Sequence, residues 1–204
     1  MRLIAENLGG ERGGRMVFSG IDLSLSDGGA LLVTGSNGSG KSTLLKVIAG
    51  LLPSASGTLR LEDGGEQYPT VGSAAHYLGH LNAIKTSLSV IENLNFWRDF
   101  NGDDGLDPLA ALESVGLGAI GRLQFGYLST GQRRRASIAR LLISRRPIWL
   151  LDEPTAGLDA ASERQFSTLM QSHLARGGLI LAATHLPLGL AGSKELRLGE
   201  AVDA

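Results

Sequence analysis

Residues 35–43 read GSNGSGKST, and this stretch decides the fold. It satisfies the spacing G-x-x-x-x-G-K-[ST], in which backbone N–H groups, a lysine and a hydroxyl converge on phosphates. That spacing carries meaning only between a strand and a helix. The sequence predicts both. Ala30–Thr34 is a continuous apolar run, as expected of a strand buried on both faces. A helix is expected from Lys41 to about Leu51, stopped by Pro53. Gly35, Gly38 and Gly40 let the loop fold around an anion, with Ser36, Asn37 and Ser39 completing it. Lys41 is placed to meet the β- and γ-phosphates, Ser42 to ligate Mg²⁺, and Thr43 to reach the α-phosphate side. A Gly/Ser turn that happens to precede a lysine does not account for so long a match in that context. The expected ligand is a nucleoside triphosphate.

A triphosphate site of this kind calls for an acidic strand end, and Ile148–Glu153 (IWLLDE) supplies one. Its apolar run delivers Asp152 and Glu153 at the carboxyl end, where ligands bind in open α/β sheets. Asp152 is expected to hold Mg²⁺ through its waters, and Glu153 to polarise an attacking water as general base.

Further along the chain, Ile21, Leu23 and Leu25 alternate with polar residues, a half-buried strand among short strands in the first thirty residues. Gly57–Leu61 and Ala75–Leu78 are expected strands. Ser89 is a candidate N-cap with Glu92 at the capping-box position, opening a helix over SVIENLNFWRDF. Asn101–Gly105 is expected to be a loop, and Asp107-Pro108 to open a short helix. A helix over about 131–145, the strand Ile148–Leu151, a helix over about 160–175 and the strand Leu179–Ala183 complete the series. The expected architecture is α/β: a largely parallel sheet core (residues 1–84 and 131–204) with an inserted helical lobe over about 85–130. All of it forms one domain.

Composition narrows the function classes. The 204 residues carry a formal net charge of −1, which gives no general pull toward nucleic acid or anionic lipid. With no cysteine, disulfide and thiol chemistry are excluded. Neither a signal-peptide core nor a membrane-spanning apolar run is visible, so a membrane role is expected to work through a partner rather than by insertion.

A second anion-binding feature lies at Leu128–Arg135, LSTGQRRR. Ser129, Thr130, Gly131 and Gln132 stand at the start of a helix, where N–H groups and the macrodipole favour negative charge. The arginines after it, with Arg140, Arg145 and Arg146, are expected to form a solvated, partly interfacial face of the helix rather than a nucleic-acid site. With GSNGSGKST before it and LLDEPTAGLD after it, the chain resembles the ATP-binding cassette (ABC) ATPases, the P-loop nucleotide hydrolases that power transporters. The resemblance covers nearly the whole length. It implies a mixed sheet core, an antiparallel β subdomain and a helical lobe. It also implies that two cassettes close head to tail around two ATP molecules. Ser129–Gln132 of one would then hold the nucleotide on the Lys41 loop of the other, as a homodimer formed on ATP binding. The family carries glycine where this chain has Thr130.

Carried over by the same resemblance, Asp159 in AGLD is the residue that crosses the dimer interface. His185 in LAATH is the switch histidine, able to reach the γ-phosphate or attacking water. His76, His80 and His173 lack that support, and His173 is expected on the surface of its helix. His80 stands where most cassettes carry glutamine, so direct metal ligation gives way to a contact role in the loop His80–Thr86. The usual adenine-stacking tyrosine is absent from ERGGRMVF; Arg12 is a substitute, and Phe18 is expected in the core. The run YLGHLNAIKTSLSVIENLNFW resembles a narrower group, the haem-exporter ATPases of bacterial cytochrome c maturation. That implies integral membrane partners of the CcmB and CcmC type and a peripheral place on the cytoplasmic face of the inner membrane. Other readings are a cassette exporting another small molecule or lipid, a soluble ABC ATPase acting on nucleic acid or ribosomes, and a P-loop kinase.

Overall fold

The computed structural model describes residues 1–80, 83–102 and 105–199. The loop residues Leu81, Asn82, Asp103 and Asp104, which fall in the expected loops His80–Thr86 and Asn101–Gly105, lie outside that range. The described chain divides into two units. The first holds Met1–Gly79, Arg146–Pro154 and the residues from Met170 onward; the second holds His80–Arg145 and Thr155–Leu169.

The first unit contains two sheets. Strands β1 (Arg2–Arg12), β2 (Arg15–Ser26) and β4 (Ser56–Glu62) form an antiparallel sheet in the order β2-β1-β4. These first two strands are long, not short. Gly9 and Gly10 lie inside β1 because neighbours come close: a Cβ on Gly9 would meet Ser56 Oγ at 2.4 Å, and one on Gly10 the Phe18 ring at 2.4 Å. The hairpin turns at Gly13 and Gly14, both at positive φ, as a two-residue primed turn requires.

The second sheet is parallel throughout, in the order β5-β6-β7-β3-β8. It comprises β3 (Ala30–Thr34), β5 (Ala75–Leu78), β6 (Ile148–Asp152), β7 (Leu179–Ala183) and β8 (Lys194–Arg197). Every residue of β6 and β7 is buried, which explains their unbroken apolar runs. Helix α1 (Lys41–Ile48) contributes Leu44, Leu45 and Ile48 to a core that also takes Leu3 and Leu8 from the antiparallel sheet and Val33, Leu150 and Leu181 from the parallel one. The helix stops before the expected Leu51, and Gly50 at φ 70° turns the chain away.

In the second unit, α2 (Val90–Asn101) starts at the expected capping box: Glu92 N–H donates to Ser89 Oγ, and Ser89 N–H to Glu92 Oε2 at 2.7 Å. Asn93 of α2 is buried and clips the preceding segment in place. Its amide accepts from Lys85 N–H at 2.8 Å and donates to Lys85 O and Ser89 O at 2.9 Å each. Asp107 caps α3 (Pro108–Glu113). Helix α4 (Thr130–Ala139) ends well before residue 145, because the residues beyond it serve tertiary contacts. Leu106 N–H donates to Leu142 O at 2.7 Å, and Gly105 packs against the Ile143 backbone with no room for a Cβ.

The arginines of α4 do not form a solvated face. Arg134 and Arg140 are buried, and the Arg140 guanidinium lies over the Trp97 ring at 4.8 Å. Arg133 donates to Gly126 O at 2.6 Å, and Arg135 donates to Val115 O at 3.3 Å. The run is an internal clamp within this unit. Helix α5 (Ala160–Ala175) completes the elements, its first ten residues belonging with the second unit. Among the described residues, no helix is long and apolar enough to cross a membrane.

Candidate functional site

The glycine-rich loop leaves β3 and enters α1 through backbone conformations that a side chain would strain. Gly35, Gly38 and Gly40 have φ of 139°, 88° and 95°. Space forbids a side chain too: a Cβ on Gly35 would meet Leu198 O at 2.6 Å, and one on Gly40 would meet Val17 Cγ1 at 2.7 Å. Gly40 is the N-cap of α1 and offers no side-chain cap, and the first turn holds no carboxylate. By contrast, Ser89, Asp107 and Ser129 cap their helices with oxygen acceptors. The α1 terminus thus keeps its positive end open to an external anion.

Lys41 is buried, and its ammonium donates to Gly35 O at 2.9 Å and Ser36 O at 3.0 Å, which holds it over the loop. Ser39 is buried beside it, and its hydroxyl has no partner among the described residues, a vacancy in hydrogen bonding that a phosphate oxygen would satisfy. Thr43 is buried in α1.

Parallel pairing aligns the ends of β6 and β7 next to this loop's strand. Asp152, buried at the end of β6, accepts from Ser42 Oγ at 2.9 Å through Oδ1. Its other oxygen accepts from the Tyr77 hydroxyl at 3.2 Å. Glu153 follows at φ 45°, in the left-handed region rare for a residue with a side chain, and its N–H donates to Ala183 O at 2.9 Å. His185, two residues beyond β7, directs Nε2 to within 3.2 Å of Asn37 Oδ1 and 3.6 Å of Glu153 Oε1. The first unit therefore gathers Gly35–Thr43, Asp152, Glu153 and His185. Sequence reasoning missed Tyr77; its signal was an aromatic hydroxyl on the strand neighbouring the acidic one.

The second unit holds the other candidates. Ser129 is the N-cap of α4 in a full capping box: Gln132 N–H donates to Ser129 Oγ at 3.3 Å, and Ser129 N–H to Gln132 Oε1 at 2.9 Å. Thr130 and Gly131 begin the helix, and a Cβ on Gly131 would come within 3.1 Å of Gly157 O. Asp159 accepts from Ser162 N–H at 2.8 Å, and this backbone bond holds its carboxyl below the ordinary range. His80 is exposed, and the two residues after it lie outside the described range.

His173 departs from expectation. It is largely buried rather than at the surface, stacked on Trp149 with ring centroids 4.0 Å apart, and Nε2 lies 3.1 Å from Pro147 O. Burial lowers its pKa to about 4, against smaller opposing effects of hydrogen bonds to Pro147 and Leu179. A Cβ on Gly178 would meet this ring at 2.3 Å, so the glycine is there to admit it.

Comparison with known proteins places the chain in a family. The family model described as ABC transporter matches residues 18–156. A "Cytochrome c biogenesis ATP-binding export protein CcmA" of Mesorhizobium japonicum is 68% identical over 203 residues, covering 98% of this chain and 100% of that protein. The protein of the same name from Chelativorans sp. is 65% identical, covering 98% of each. Among solved structures, a putative ABC transporter ATP-binding protein from Pyrococcus furiosus aligns with a TM-score of 0.82 at 22% identity, covering 97% of this chain and 98% of that one. A dimeric bacterial ABC transporter cassette, MJ0796, aligns equally well at 20% identity, covering 97% and 94%. The chain belongs to the ABC transporter family of ATP-binding cassettes, within the group of cytochrome c biogenesis ATP-binding export proteins.

Proposed function

We propose that this chain is the ATP-hydrolysing subunit of a haem exporter serving cytochrome c biogenesis, paired with a second copy of itself on ATP binding. The observation that carries the catalytic reading is the convergence of the Lys41 loop, Asp152, Glu153 and His185 in one unit. The names of the close relatives carry the biological one.

ATP enters the loop of Gly35–Thr43, where Ser36, Asn37 and Ser39 line the turn and Lys41 faces the β- and γ-phosphates. The hard oxygens of Ser42 and Asp152, 2.9 Å apart, fit Mg²⁺, which would neutralise phosphate charge. Glu153 takes a proton from the attacking water, and Lys41 and His185 stabilise charge on the γ-phosphoryl group. Ser129, Thr130, Gly131 and Gln132 of the opposing copy close over that group with hydroxyl and amide donors, and Asp159 lies along the shared face. Reopening after hydrolysis drives membrane subunits of the CcmB and CcmC type. Docking on them would place the chain at the cytoplasmic face of the inner membrane.

A mixing experiment tests the shared site. Aspartate caps a helix as well as serine does, so Ser129→Asp keeps α4 while setting a negative charge against the phosphate. Neither Lys41→Ala nor Ser129→Asp should hydrolyse ATP alone. Mixed in equal amounts, they should recover up to about a quarter of the wild-type rate, since half the dimers are mixed and each has one intact site of two. An inactive mixture that still dimerises contradicts the shared site.

A further inference from the structure

Asp152 is buried at the end of β6, and its two oxygens have different partners. Oδ1 accepts from Ser42, whose hydroxyl is also a candidate ligand for the cation. Oδ2 accepts from Tyr77, a neutral phenol with no place among the phosphate-binding groups. Tyr77 stands on β5, paired with Leu150, so its ring must lean along the sheet toward the strand ends to reach a residue two positions further on β6.

Gly79 lies in the path of that leaning ring. A Cβ there would stand 2.7 Å from Tyr77 Cε1 and 3.0 Å from its hydroxyl oxygen. The backbone of Gly79 is not in the left-handed region, so the chain's conformation does not demand glycine here. The tyrosine does. A ring and the gap that admits it, two residues apart, are together directed at one carboxylate oxygen.

We propose that Tyr77, seated by Gly79, is a positioning residue that fixes the rotation of the Asp152 carboxylate for divalent-cation binding. Ser42 donates its hydrogen to Oδ1 and would keep that bond while offering its oxygen's lone pairs to a cation. Tyr77 holds Oδ2 from the neighbouring strand, so the carboxylate is pinned at both oxygens and Oδ1 stays turned toward Ser42. Groups that orient a metal's carboxylates in this way typically affect affinity by about tenfold or more. The inference rests on the proposed role of Asp152.

The test compares ATP binding to the full chain with Mn²⁺ and in EDTA, alongside the Mg²⁺ concentration for half-maximal hydrolysis. Tyr77→Phe keeps the ring and removes the hydroxyl. It should weaken Mn²⁺-supported ATP binding about tenfold, raise the Mg²⁺ requirement in step, and leave metal-free ATP binding unchanged, with the modest drop in melting temperature that loss of one buried hydrogen bond brings. Gly79→Ala should displace the ring and reproduce the defect. Combined with Tyr77→Phe it should add nothing, as expected of two changes acting through one contact. Unchanged cation dependence in Tyr77→Phe, or equal loss with and without metal, overturns the proposal. Asp152→Asn separates the two readings. If it abolishes the cation's effect while Tyr77→Phe does not, only the role of Tyr77 fails. If it too leaves the cation's effect intact, the metal role of Asp152 fails as well.

Discussion

Nε2 of His185 stands 3.6 Å from Oε1 of Glu153, and the backbones carrying them are tied by the bond from Glu153 N–H to Ala183 O. The proposed general base and the proposed switch histidine are thus held side by side by the fold itself. Replacing Glu153 by glutamine removes the proton acceptor and little else. Turnover of Glu153→Gln should fall about 10²–10⁴-fold while ATP still binds. The variant should elute as a dimer with ATP in size-exclusion chromatography, and full turnover would contradict the assigned role.

Glu153 also sits at φ 45°, a conformation with a cost for a residue bearing a side chain. Glycine adopts it freely. Glu153→Gly should therefore be inactive but melt no lower than wild type, whereas a merely structural glutamate would lose stability on truncation. Parallel thermal and ATPase measurements distinguish the two.

His185→Ala should retain the loop geometry and ATP binding, since the Asn37 contact at 3.2 Å is one polar interaction at an exposed side chain. Its hydrolysis rate should drop about 10²–10³-fold if the imidazole stabilises charge on the phosphoryl group. Single-turnover kinetics read this step apart from product release.

Asn93→Ala removes the hydrogen bonds of a buried amide to the backbone of Lys85, Leu88 and Ser89 and frees the segment Lys85–Ser89. The cost should be about 1–3 kcal/mol. Limited proteolysis should cut this segment faster, and co-purification with membrane subunits should weaken more than ATP binding does.

The His173 ring stacked on Trp149 titrates at about 4 in the folded chain, below the ordinary 6.5. The unfolded chain takes up a proton first as pH falls. Stability is therefore full above about pH 6.5 and declines toward pH 4, by roughly 3 kcal/mol at most. Urea denaturation at pH 7.5 and 5 should show the loss, and His173→Phe, which keeps the stack, should abolish this component.

Much of the site was legible in the residues because its chemistry is local. A loop needing positive φ at Gly35, Gly38 and Gly40 announces itself, and so does an apolar strand ending in Asp152 and Glu153. What escaped notice depends on distant partners. Strand β8, KELR, has no apolar pattern because it lies at the sheet edge and is defined by its pairing with β3. Arg134 and Arg140 read as solvated charge until the rings and carbonyls around them are known. Tyr77 lies in the expected strand Ala75–Leu78, and its hydroxyl is a signal only once that strand is known to neighbour the one ending in Asp152.

The capping box at Ser129 has one more outcome. Its oxygen is engaged as an acceptor from Gln132 N–H, and its own hydrogen has no acceptor among the described residues, so it can turn to one that comes. In the proposed pair of cassettes, stabilising the solitary chain and greeting a neighbour's phosphate would draw on opposite ends of the same O–H group. The molecule need not loosen one grip to make the other.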